Sequence, residues 1–201
     1  MPDELFTWHA EATVLKYFED KVAAMTAHLG LGREPLGHEI EDLVQRGVFA
    51  PDEIHHEDGN LLTTAGLGRL TNVFEGGGGA VFNNAQAIIG VGDSTTGALV
   101  GDTHLGGDGS TTHAYYQGAD SGYPTQVGGA INCNATFGSG NANFTAGWQE
   151  WCLGIATGTI TPGGTLASVG TSPLMFNHKI ANLGVKASGA IWTLQSSCTI
   201  S

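Results

Sequence analysis

Few stretches of the sequence cluster side chains able to do chemistry. The densest is "HHEDG", where His55, His56, Glu57 and Asp58 are consecutive. Imidazoles and carboxylates bind divalent metals and move protons. Adjacent side chains rarely converge on one ion, however, and the spaced HExxH pattern is absent. The stretch therefore reads as part of a solvated connector, "PDEIHHEDGN". Glu150 is the only acid inside an expected β-domain strand, and a strand carboxylate without an evident partner is expected to be hydrogen-bonded or surface-facing. "GDST" (Gly92–Thr95) and "GGDGS" (Gly106–Ser110) are turn material, lacking the regular spacing of a calcium loop. No Gly-x-Ser-x-Gly elbow and no local Cys/His signature is present.

The tetraglycine Gly76–Gly79 raises the question of a phosphate cradle. It follows an expected helix and precedes an expected strand. A phosphate loop needs the opposite order and a Gly-Lys-Ser/Thr ending. The glycines are read as a helix stop and hinge. Cys133, Cys152 and Cys198 are too widely spaced for zinc pairing or a disulfide framework, and are expected to be buried, reduced thiols. No catalytic, cofactor-binding or metal-ligating residue is therefore assigned, and no enzymatic activity is expected.

The elements that would carry these residues change character near Glu75. Residues 1–75 hold 14 of the 19 acids, 5 of the 7 Lys/Arg and only 7 of the 32 glycines. Residues 76–201 are rich in Gly, Thr, Ser and Asn. The contrast predicts an α+β chain: a helical N-terminal arm over 1–75, then an antiparallel β-sandwich, jelly-roll or Ig-like, over 76–201. Val14, Phe18, Val22, Met25 and Leu29 recur at helical steps up to Gly30. A second helix is expected from Pro35 to Gly47 and a third from Leu61 to Phe74, weakened by Gly66 and Gly68. Beyond Glu75 the period becomes two. "INCNATF" places Ile131, Cys133, Ala135 and Phe137 on one face. "WTLQSSCTI" groups Trp192, Leu194, Cys198 and Ile200. "AIIGV", "WQEWCLGI" and "LMFNHKI" read as further strands.

Net charge is −12, which disfavours nucleic-acid and anionic-membrane partners. No apolar run is long enough to span a bilayer, and the acidic start "MPDELFTWHAEATV" carries no secretory pattern.

Several phrases, in order, carry a resemblance: "WHAEATVLKYF", "GNLLTTAGLGRL", "NNAQAIIGVGDSTT", "ATFGSGNANFTAGWQEWCLGI", "FNHKI" and "LGVKASGAIWTLQSSCTIS". Together they resemble a family of tailed-bacteriophage virion proteins. The resemblance covers most of 59–201, with an anchor near the N-terminus. It implies a structural role in the particle, as a capsid decoration or minor capsid protein on the head surface, made in the host cytoplasm. Partners would be the major capsid protein, copies of the chain itself, or both, and a homo-oligomer is expected. The alternative is a tail, baseplate or fibre component that binds neighbouring tail proteins or host glycan, with Trp148, Trp151, Tyr115 or Tyr116 stacking on sugar rings.

An assembly role needs an exposed apolar surface. The arm's stripe, Val14, Phe18, Val22 and Met25, is one candidate interface. Trp148 and Trp151 are the other, since residues three apart on a regular strand point to opposite faces.

Overall fold

A computed structural model describes residues 7–200; the first six residues of the acidic N-terminal stretch lie outside that range. The chain builds two antiparallel sheets packed face to face. In one, β2 (Glu53–Asp58), β1 (Trp8–Tyr17), β11 (Ile191–Ile200), β7 (Ala130–Phe137) and β6 (Thr125–Val127) are neighbours in that order. In the other the order is β3 (Leu61–Leu62), β10 (Asn177–Gly184), β8 (Trp148–Thr157), β4 (Ala87–Gly92) and β5 (Ala114–Gly118), and β9 (Thr171–Met175) also pairs with β8.

The expected alternation places the core. Cys133, Ala135 and Phe137 of β7 and Trp192, Leu194 and Cys198 of β11 are buried between the sheets, with Ala10, Ala12 and Val14 of β1 beside them. Ile200 of the same expected face escapes burial at the strand end. From the second sheet come Ile89, Val91, Trp151 and Leu153. Trp148 stacks edge-on against Phe137 and Trp192, each centroid 4.9 Å away. Edge-to-face packing of this kind adds to area burial.

An N-terminal helical arm is not evident. Residues before Glu75 supply β1, β2 and β3, and β1 is an interior strand paired along its length with β11. The helical spacing from Val14 misled because Ala10, Ala12 and Val14 also satisfy a period of two, and tertiary pairing decides between the periods. The helix itself, α1 (Glu19–Leu29), starts after Tyr17 and stops at Gly30, whose φ of 64° suits a left-handed cap. The second helix, α2 (Gly37–Gln45), and the third, α3 (Thr64–Phe74), form within the expected spans. Expected as a connector, "EIHHED" is strand β2, because β1 offers it a free edge.

Both outer faces of the sandwich are partly covered. The α1–α2 pair lies on the first sheet through Tyr17, Val22, Met25, Ile40, Leu43 and Ile191. It covers only the end of that sheet near Tyr17. The far end presents Thr13, Gln195, Ser197, Asn132 and Thr125 outward. On the second sheet, Leu105, Tyr116, Leu166 and Val169 close over Ile88, Cys152 and Ala156; Leu166 and Val169 belong to the short helix α4 (Leu166–Val169).

Gly66 explains why α3 tolerates a poor helix former. A Cβ there would meet the Phe176 carbonyl oxygen at 2.2 Å, so glycine lets the helix lie against the β9–β10 backbone. Thr63 caps the helix, accepting from Gly66 N at 2.9 Å while donating to the Met175 carbonyl at 2.7 Å.

Candidate functional site

Three of the chain's charged side chains meet under the loop that follows β4. Glu150 is the outward-facing residue of β8 opposite Gly92 and Ile180. His178, two residues before Ile180 on β10, lies diagonal to it on the same face. The loop brings Asp102 to the far side of the ring. His178 Nε2 stands 2.9 Å from Glu150 and Nδ1 2.7 Å from Asp102. The Gly106 and Gly107 amides donate to the two Glu150 oxygens at 2.8 and 2.9 Å. The Glu150 side chain is fully buried and that of His178 is 3% exposed.

Burial opposes charge on His178, yet hydrogen bonds to the Glu150 and Asp102 carboxylates outweigh it and raise the imidazole above its ordinary value. For Asp102 the same balance runs the other way. Burial opposes its charge, but the Leu99 amide and His178 hold it below the usual carboxylate range. His178 thus bridges the two acids, one ring nitrogen on each. With both ring nitrogens engaged, the imidazole has no lone pair free to take a proton from a nucleophile. What the cluster does is fasten the 99–109 loop to the sheet. The expected hydrogen-bonded Glu150 is found, but His178 and Asp102 lie 76 residues apart and no local spacing signals them.

The two Asx turns also serve the fold. Asp93 bonds His113 Nδ1 at 2.8 Å, and Asp108 accepts from Leu166 N at 2.7 Å. Gly76, with φ of 77°, ends α3, and Arg69 ties the glycine turn back to the helix through the carbonyls of Gly78 and Ala80, each at 2.7 Å. All three cysteines are free and buried; burial pushes Cys133 and Cys198 up to about 12 and Cys152 higher still.

Most of the expected interface residues lie inside the chain. Val14, Met25, Trp148 and Trp151 are fully buried and Val22 nearly so; Phe18 alone is exposed, at 47%. Trp148 avoids the outer face because the β8–β10 ladder shifts register between Ile180 and Gly184, and such an irregularity re-aims a side chain. Its Nε1 donates to the Ala142 carbonyl at 2.8 Å. Tyr116 is buried too, and Tyr115 partly so. Sugar stacking by Trp148, Trp151 or Tyr116 has no surface to act from.

The exposed apolar surface lies elsewhere. A groove of about 400 Å³ runs between α3 and the ends of β1 and β11, lined by Trp8, Leu62, Leu67, Leu70, Phe74 and Ile200. Leu67 is 53% and Phe74 76% exposed. The third helix was legible in the sequence; the exposure of Leu67 and Phe74 was not.

Fold and surface together define an antiparallel β-sandwich with an open apolar groove at one corner. No protein-family model, curated protein or solved structure matches the chain.

Proposed function

We propose that this chain is a structural protein of a tailed-bacteriophage particle, a decoration protein bound to the outside of the head. The observation that carries the reading is the α3 groove. Apolar side chains as exposed as Phe74 and Leu67 beside a preformed concavity mark an interaction surface. The ordered phrases of the sequence supply the context of a virion, and jelly-roll or Ig-like sandwiches suit such shells.

The groove's occupant is an apolar segment of the major capsid protein. A concave apolar site needs a convex apolar ridge. Beyond α3 and the adjacent pair Leu99 and Val100, the chain's exposed large apolar residues, such as Phe18, Ile54, Val127 and Val185, sit apart from one another in the sequence, which favours a partner of different sequence over a second copy. Repetition over the capsid lattice turns a modest contact into stable attachment through avidity. Location on the head surface, synthesis in the host cytoplasm and the absence of catalysis belong to this reading.

The test is incorporation of a Phe74→Asp, Leu67→Ser variant into particles, with circular dichroism as a control for folding. Loss of hundreds of copies from the head supports the reading. Normal decoration by the variant refutes it, and a concentration-dependent dimer of the wild type that the substitutions abolish would assign the groove to a second copy.

One observation favours the tail alternative. The open end of the first sheet forms a polar concavity of about 300 Å³ whose lining includes Thr13, Thr125, Asn132, Asn134, Gln195 and Ser197. These amides and hydroxyls, with the Glu11 carboxylate at their side, offer the donors and acceptors that a host glycan needs. A glycan array probed with wild type and with Asn132→Ala, Gln195→Ala decides it: no wild-type binding removes this reading.

A further inference from the structure

We propose that His9, Glu11 and Asp58 form a binding site for a divalent transition-metal ion at the β1–β2 edge of the first sheet. His9 and Glu11 are two apart on β1 and so project from one face. Asp58 is the direct cross-strand neighbour of Glu11 on β2. One donor atom from each residue lies within 4.8 Å of the other two, and His9 Nε2 is 3.2 Å from an Asp58 oxygen. Ligands at about 2.1 Å from a shared ion stand about 3–4 Å apart, so side-chain rotation alone closes the set.

The electrostatics also call for a cation. Glu11 and Asp58 are like charges directly opposed on adjacent strands, an arrangement that destabilises a sheet. Among the described residues neither carboxylate is paired with a lysine or arginine, and His9 is the one ionic partner of Asp58. Lys179 donates instead to the Asp58 backbone carbonyl at 2.8 Å.

Other imidazole–carboxylate contacts lack this combination. His55–Glu57 and His113–Asp93 are pairs, and the His178 cluster is buried with both ring nitrogens used. His56, on the same face, is engaged with Thr13 Oγ1 at 2.9 Å. One imidazole and two carboxylates suit zinc, manganese or cobalt better than calcium, which prefers an all-oxygen set. All three ligands are exposed, so the remaining coordination positions open to solvent.

The experiment is calorimetric titration of the whole chain with zinc chloride, and separately with calcium chloride, in a non-chelating buffer. One equivalent of zinc is expected. His9→Ala and Glu11→Gln should each weaken it on the order of tenfold or more, while His55→Ala binds as wild type. These substitutions are on exposed side chains, and circular dichroism verifies the fold. Absence of saturable zinc binding up to about 1 mM overturns the site. So does unchanged affinity in the His9 and Glu11 variants, or a preference for calcium.

Discussion

His178 and Glu150 form an ion pair, 2.9 Å apart, from which water is almost wholly excluded. Asp102 completes it from the loop side at 2.7 Å. Removing one partner of such a group strands a buried charge. His178→Ala should therefore destabilise the protein by about 3–5 kcal/mol, read as a lowered midpoint in urea. Proteolysis should also begin in the released 99–109 loop.

The same cluster sets a pH dependence. His178 titrates above its ordinary value in the folded chain, so its contribution is complete below about pH 6.5 and is lost as pH rises through the higher folded value. Asp102 is held low, so its contribution is complete above about pH 4 and is lost only as pH falls through its depressed value. Thermal unfolding between pH 5 and 9, monitored by calorimetry, should show a midpoint that falls on the alkaline side. In His178→Gln the fall should be flattened.

Asp120 runs opposite to the usual carboxylate. Burial, with a smaller push from Glu41, raises it to about 6 against the opposing hydrogen bonds from Thr136. Its contribution to stability is present below its ordinary value and is lost as pH rises through about 6. Asp120→Asn should therefore raise the unfolding midpoint at pH 8 and leave it nearly unchanged at pH 4.

Two glycines of α3 should respond with opposite signs. Gly66→Ala drives a methyl into the Phe176 carbonyl and should cost about 1–3 kcal/mol. At Gly68 a Cβ meets nothing within 4 Å, so Gly68→Ala should gain about 0.5–1 kcal/mol from helix propensity. Urea midpoints of the two variants decide the matter.

The arm residues separate in the same way. Phe18→Asp leaves an exposed position polar and should fold with wild-type circular dichroism. Val22→Asp places a charge among Met25, Ile40 and Leu43 and should unfold the chain or cost several kcal/mol.

How much of this could be read in the sequence depended on the range of the interactions. Period-two alternation located the inner faces of β7 and β11 correctly, because the pattern is local and one face is buried. Helix stops at Gly30, Gly47 and Gly76 were legible for a similar reason: a positive φ is a demand on one residue. What failed was long-range. Val14 satisfied two periods, and only its pairing with Leu194 on β11 chose between them. Trp148 was turned inward by a ladder shift involving a strand more than thirty residues away. The convergence of Glu150, His178 and Asp102 follows from sheet order, which no single stretch encodes.

Strand β2, first read as a linker, has a consequence for how copies can meet. Its outer rim carries Glu53, His55, Glu57 and Asp58 along an edge that would otherwise accept another strand, and charge at that position repels an incoming backbone. At the opposite border the sheet ends in β6, only three residues long. Lateral growth of that sheet from one molecule into the next, and with it fibre formation along its edges, is thus discouraged at both margins.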